Sequence, residues 1–251
     1  SPYEQYFNEN RQFFTEGTEL LSKCGIFYSR RIGSTPENYY SIEYDTTYQE
    51  IKNNPDKTKL INATKVSGRT KGGLGIGLFN AMTAPSKAEV VDSSGIEKTI
   101  TTQNFTNYNL IVLDQNLWKN SYISLINTNV NKTNYRANVT GTEFSFSDKK
   151  NDYVLAGDYV VSQKYYENAD DEFGHRYSIS AGKVSGNFQY FVGSDVVTDT
   201  YDPNDMGYLG VNNDITNELE LSYHIYKPFW KLLNMYSDLE IEHYMLYDPT
   251  V

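Results

Sequence analysis

The sequence predicts an all-β fold: an antiparallel, up-and-down transmembrane β-barrel, incomplete at about ten strands, with a plug-like or irregular N-terminal segment. Three observations predict it. Polar and apolar residues alternate in run after run. Leu219, Leu221, Tyr223 and Ile225 point to one side of a strand, and Glu218, Glu220, Ser222 and His224 to the other. The same period recurs in Leu74-Ile76-Leu78, in Tyr153-Leu155-Gly157-Tyr159-Val161 and in Tyr177-Ile179-Ala181. Most runs reach the 9–11 residues that a tilted membrane strand needs, roughly twice the ordinary strand length. The connections also fall into two alternating classes, tight polar turns and longer loops, as at the two rims of an outer-membrane barrel.

Residues 1–55 stand apart as the plug-like segment, and 56–251 form the barrel portion. Tyr6 to Lys23 mixes Phe13, Phe14, Leu20 and Leu21 with Glu16 and Glu19 in no clear strand period, and Asn53-Asn54-Pro55-Asp56 is a turn signal. Strands are expected near 60–69, 73–91, 97–117, 121–130, 135–146, 152–165, 175–185, 187–197, 217–227 and 236–246. The tight turns are Thr70-Lys71-Gly72, Trp118-Lys119-Asn120, Ser147 to Asn151 and Ser185-Gly186. The longer class holds Asp92 to Glu97, Glu167 to Gly174 and Thr198 to Thr216, with Asn131 to Asn134 and Lys227 to Asn234 as exceptions. Tyr108, Tyr122, Tyr135, Tyr153 and Tyr177 sit near strand ends, where an amphipathic ring suits a membrane interface. A soluble β-sandwich is the competing architecture, since tyrosine also favours ordinary strands.

Composition narrows the function. The 251 residues include 23 Tyr, well above an ordinary domain, while the mean hydropathy is −0.60. A barrel hides its lipid face in this way, because each lipid-facing residue is diluted by a lumen-facing one. No stretch is long and apolar enough for a membrane helix. The net charge of −10 argues against nucleic acid, and the single Cys24 excludes an internal disulfide framework. The chain begins at Ser1 without a leader and ends without a closing aromatic strand, so a piece of a longer protein is expected.

Six segments, in this order, resemble the DUF5916 family of large Bacteroidota outer-membrane proteins. They are Arg11-Gln12-Phe13-Phe14-Thr15-Glu16-Gly17, Phe27-Tyr28-Ser29-Arg30-Arg31-Ile32-Gly33 and Ala63-Thr64-Lys65-Val66-Ser67-Gly68-Arg69-Thr70. Gly73 to Ala81, Asn107 to Gln115 and Tyr201-Asp202-Pro203-Asn204-Asp205-Met206-Gly207-Tyr208-Leu209 complete the set. The resemblance implies a sandwich similar to a family 9 carbohydrate-binding module, followed by a barrel, with this chain covering the opening of the barrel. It also implies the outer membrane of a Gram-negative bacterium, with the lipid bilayer as partner and glycans or envelope proteins as further partners. The expected role is a channel, receptor or scaffold in envelope glycan handling. The alternatives are a soluble polysaccharide-binding sheet and an envelope glycoside hydrolase using Glu143 and Asp158.

Candidate sites are few. Arg30 and Arg31 are expected to anchor the plug by pairing with Glu218, Glu220 or Glu242 on the lumen wall. Asp202, Asn204 and Asp205 are oxygen donors in a Pro/Gly loop that fit either calcium or ordinary turn chemistry, and no other cofactor is implied. His224 and His243 lie on different strands, where they are candidates to pair. No nucleophile elbow, zinc-protease motif or other catalytic set is readable. Gly73, Gly75 and Gly77 lack the Lys-Ser/Thr of a phosphate loop and are expected to open space inside the barrel or admit a plug backbone.

Overall fold

A computed structural model describes residues 5–15, 18–118 and 120–249; Glu16, Gly17 and Lys119, named above, lie outside these. Two short helices, α1 (Gln12–Thr15) and α2 (Tyr39–Glu43), lead into β1 (Tyr48–Asn53), β2 (Leu60–Arg69), β3 (Leu74–Thr83), β4 (Ser86–Asp92) and β5 (Glu97–Gln103). Then follow β6 (Thr106–Asn116), β7 (Tyr122–Lys132), β8 (Tyr135–Ser147), β9 (Tyr153–Tyr166), β10 (Glu172–Lys183), β11 (Phe188–Val197), β12 (Asp214–Ile225) and β13 (Met235–Leu246). Ten of them form one antiparallel sheet in the order β13-β12-β11-β10-β9-β8-β7-β6-β3-β2. β2 and β13 do not pair with each other, so the sheet is open and its two edges present unpaired backbone.

The meander is broken once. The runs expected as continuous strands over 73–91 and 97–117 divide at Ala84-Pro85 and at Asn104-Phe105. Pro85 has no N–H for a ladder, which ends the large sheet at the Thr83–Thr106 pair. Beyond the break, β4 and β5 take β1 as a third strand. This small sheet buries Ala88 and Val90 against Ile42 of α2. The expectation of an irregular segment up to residue 55 is thereby corrected over Tyr48–Asn53.

Both faces of the large sheet carry apolar side chains. On one face, Phe79, Leu110, Val112, Ile126, Val139 and Val160 are buried beneath Phe14, Leu20, Leu21, Cys24, Ile26 and Ile32 of the N-terminal segment. Leu21, Ile26 and Ile32 are each only 1% exposed. Burial of each contributes about 1.5–3 kcal/mol relative to exposure, as an upper estimate. The face expected to be polar is thus apolar in part, because beneath the N-terminal segment it forms a core.

On the opposite face, Leu78, Ile111, Leu113, Ile123, Leu125, Leu155, Ile179, Val192, Leu239 and Ile241 stand exposed at 39–53%. No second sheet covers them among the described residues. Across several strands this apolar band gives way to a polar row, Asn80–Asn109–Asn129–Asn138–Gln163, in direct cross-strand register. Asn80 Nδ2 donates to Asn109 Oδ1 at 2.9 Å, and Asn138 Nδ2 to Gln163 Oε1 at 3.0 Å.

The connections alternate between the two ends of the sheet. One end holds 70–73, 117–121, 148–152 and 184–187, and also the longer 226–234. The other holds the small sheet, 167–171 and 198–213, with 133–134 as its short member. Asn151 and Gly186 take positive φ of 58° and 82° in the tight turns.

Candidate functional site

The N-terminal segment is seated by three devices, each traceable to residue type. The first is missing side chains in the sheet. A Cβ on Gly75 would lie 2.8 Å from Leu20 Cδ2, and one on Gly141 would lie 2.8 Å from Cys24 Sγ. Glycine alternation in β3 therefore serves the close approach expected of it.

The second device is a ring of charges around the Lys23–Gly25 turn. The Cys24 amide donates to Glu143 Oε2 at 2.8 Å, and Arg176 Nη2 donates to the Cys24 carbonyl at 3.1 Å. Arg176 also pairs with Asp158 at 2.6 Å, and Asp158 Oδ1 accepts from Ser178 at 2.8 Å. Lys23 Nζ lies 3.4 Å from Asp114 and 3.5 Å from Glu143, and 4.0 Å from the centre of the Tyr122 ring. Asp114 is also paired with Arg69 and accepts from Ser124 at 2.6 Å. Burial first, then the nearby Glu143 and Asp158 carboxylates, push the Cys24 thiol up to about 12, so it is an inert packing group.

The third device is the loop 198–213, which folds over the segment. Tyr201 and Met206 belong to the same core, and the Tyr28 amide donates to the Met206 carbonyl at 2.7 Å. Farther along the chain start, Glu9 accepts from Arg11 Nη2 and from Ser29 Oγ, both at 2.7 Å. The Arg11 hydrogen bond is the main reason the Glu9 carboxyl falls to about 2.

The named candidates sort as follows. Arg30 Nε donates to the Asn8 carbonyl at 2.8 Å. Arg31 donates through Nε to the Gly207 carbonyl at 2.9 Å and through Nη2 to Asn204 Oδ1 at 3.0 Å. Among the described residues, no ion pair joins either arginine to Glu218, Glu220 or Glu242. These arginines anchor the segment to itself and to the loop 198–213, whereas the glutamates stand on β12 and β13. The pairing expected from charge alone is corrected, because the segment covers β3 and β6–β10.

Asp202, Asn204 and Asp205 do come together, but with protein donors. Asp202 pairs with Lys164, Asn204 Oδ1 also accepts from the Leu209 amide at 2.7 Å, and Asp205 accepts from the Tyr135 hydroxyl at 2.6 Å. Lys132 and Lys164 lie 3.5 and 3.7 Å from Asp205. Burial would push the Asp202 carboxyl up, but the Lys164 hydrogen bond and the Asn204 amide bring it below its ordinary value. The lysines already supply the positive charge that calcium would bring, and the calcium expectation is replaced by a loop clamp.

Glu143 and Asp158 are direct cross-strand partners, yet both are engaged by the segment's anchoring groups. His224 and His243 face opposite sides of the sheet; His224 lies 3.3 Å from Asp238. Lys23, Lys132, Lys164 and Arg176 escaped sequence reasoning. The glycines at 75, 77, 141 and 174, all on one face of their strands, marked the covered face but not these cations.

Geometry thus defines a class: a long-stranded open antiparallel sheet that carries its own N-terminal segment as a seated cover on one face. The family described as "Domain of unknown function (DUF5916)" matches residues 1–251, and the chain belongs to it. No curated protein and no solved structure matches the chain.

Proposed function

We propose that this chain is the opening portion of an outer-membrane β-barrel, with the N-terminal segment as a lumen plug, acting as a channel, receptor or scaffold in the Gram-negative envelope. One observation carries the reading: the face opposite the plug exposes a band of large apolar side chains from β3 to β13. So large an exposed apolar surface is foreign to a soluble monomer and natural to a lipid-facing wall. The ten strands run 10–14 residues, enough to cross the hydrocarbon when tilted. The polar row from Asn80 to Gln163 then marks where these strands leave the bilayer, on the side of the longer connections. In lipid, every backbone group needs an internal partner, so the edges at β2 and β13 require further strands to complete a closed wall.

The mechanism is physical. Lipid solvates the outer band, inter-strand hydrogen bonds satisfy the backbone, and the plug limits passage through the lumen. Glycans or envelope proteins are the partners that suit such a role, reached from the rim with the long connections. The test is migration of the full-length protein in detergent with and without boiling, beside its distribution between membrane and soluble fractions. Membrane recovery with a heat-modifiable band is expected. A protein that stays soluble and monomeric without detergent contradicts the reading.

A further inference from the structure

At the rim with the longer connections, a cavity of about 610 Å³ opens between the N-terminal segment, the ends of β7 and β9, the start of β8 and the loop 198–213. Its size falls in the range of small-molecule sites. Three tyrosines, Tyr108, Tyr135 and Tyr166, line it, and the Tyr135 and Tyr166 ring centres are 5.1 Å apart. Its charges are engaged within the protein: Lys132 with Glu37 and Asp205, Lys164 with Asp205 and Asp202, and Arg31 with the Gly207 carbonyl and Asn204 Oδ1. Asn104, Thr35 and Thr133 also line it, and their side chains hold no hydrogen bond among the described residues.

A strongly charged ligand would have to compete with those internal pairs. An apolar ligand would strand the free hydroxyl and amide groups. What fits is an uncharged molecule carrying many hydroxyls at its edges and C–H groups on its faces. The paired charges offer donors and acceptors side by side, and tyrosine rings offer flat surfaces with a polar tip. We propose that this cavity is a binding site for a neutral oligosaccharide. The proposal rests on the reading of glycans as partners at this rim and deepens it, while the cavity itself is built by the fold whatever lies on the opposite face.

The experiment probes the full-length protein in detergent against an array of neutral oligosaccharides, acidic oligosaccharides and short peptides, then measures affinity for a bound member by calorimetry. Binding of a neutral oligosaccharide is expected, weakened about tenfold by Tyr166→Ala and by Asn104→Ala, and unchanged by Tyr226→Ala outside the cavity. Asn104 is exposed, so its variant tests the site even where Tyr166→Ala disturbs folding. No binding, binding of peptides or acidic sugars alone, or affinity unchanged in both cavity variants overturns the proposal. Heat-modifiable migration of the same sample reports on the membrane reading separately.

Discussion

The covered and uncovered parts of one sheet face treat the same residue type in opposite ways. Under the N-terminal segment, Asp114, Glu143 and Asp158 each find a cation: Arg69 and Lys23, Lys23, and Arg176. On β12 and β13, Glu218 stands directly opposite Glu242, and Glu220 opposite Glu240, with no ion pair to any of the four among the described residues. Like charges directly opposite each other are unfavourable in a sheet. They are tolerable where water or a partner reaches them, and not beneath a packed cover. The covered part of this face is therefore a core with paired charges, while the uncovered part is an acidic surface.

Glycine substitutions break this contrast most sharply. A Cβ on Gly174 would lie 2.3 Å from the Tyr201 backbone, whereas one on Gly193 would meet only the end of the Phe191 ring at 2.9 Å. Gly174→Ala is expected to cost about 3 kcal/mol and to release the loop 198–213, with Gly193→Ala well below that. Denaturant unfolding together with protease cleavage in 198–213 checks both. Equal effects would erase the distinction between the two regions.

Charge removal follows. Arg176→Met leaves Asp158 without its cation and the Cys24 carbonyl without a donor, an expected loss of about 2 kcal/mol at this partly exposed pair. Glu240→Gln on the uncovered wall relieves repulsion and is expected to change stability by no more than about 0.5 kcal/mol. Parallel unfolding curves of the two variants decide the matter.

The most local expected effect is pH-dependent. Because the Glu9 carboxyl is held at about 2 against an ordinary 4.5, its stabilisation is fully present above 4.5 and is lost as pH falls through about 2. Hydrogen exchange of the amides near Glu9 is expected to rise over that window in the native protein. In Glu9→Gln this acid-induced rise should vanish.

Much of the fold was legible in the sequence because a two-residue period is hard to mistake over strands this long. The ten-stranded meander and its turns follow from that period. The small sheet was not legible, because the residues on both sides of Pro85 read as strand and only the missing N–H separates them. The seat of the N-terminal segment was legible in part. Gly75 and Gly77 pointed to close approach, but which segment approaches depends on pairing between distant residues such as Cys24 and Gly141. The misassigned arginines teach the same lesson. Arg30 is met by the Asn8 carbonyl and Arg31 by Asn204 of the distant loop 198–213, while the glutamates stand on strands that the segment does not cover.

In the membrane reading proposed above, the uncovered apolar band faces lipid while the other face holds the N-terminal segment. Spin labels at Leu125→Cys, Ile179→Cys and Ile241→Cys, with the full-length protein in bilayers, test it most directly through collision rates with oxygen and a water-soluble nickel complex. High oxygen and low nickel accessibility are expected at all three, with the reverse at Glu220→Cys. Nickel accessibility at the three apolar sites equal to that at Glu220→Cys would contradict the account.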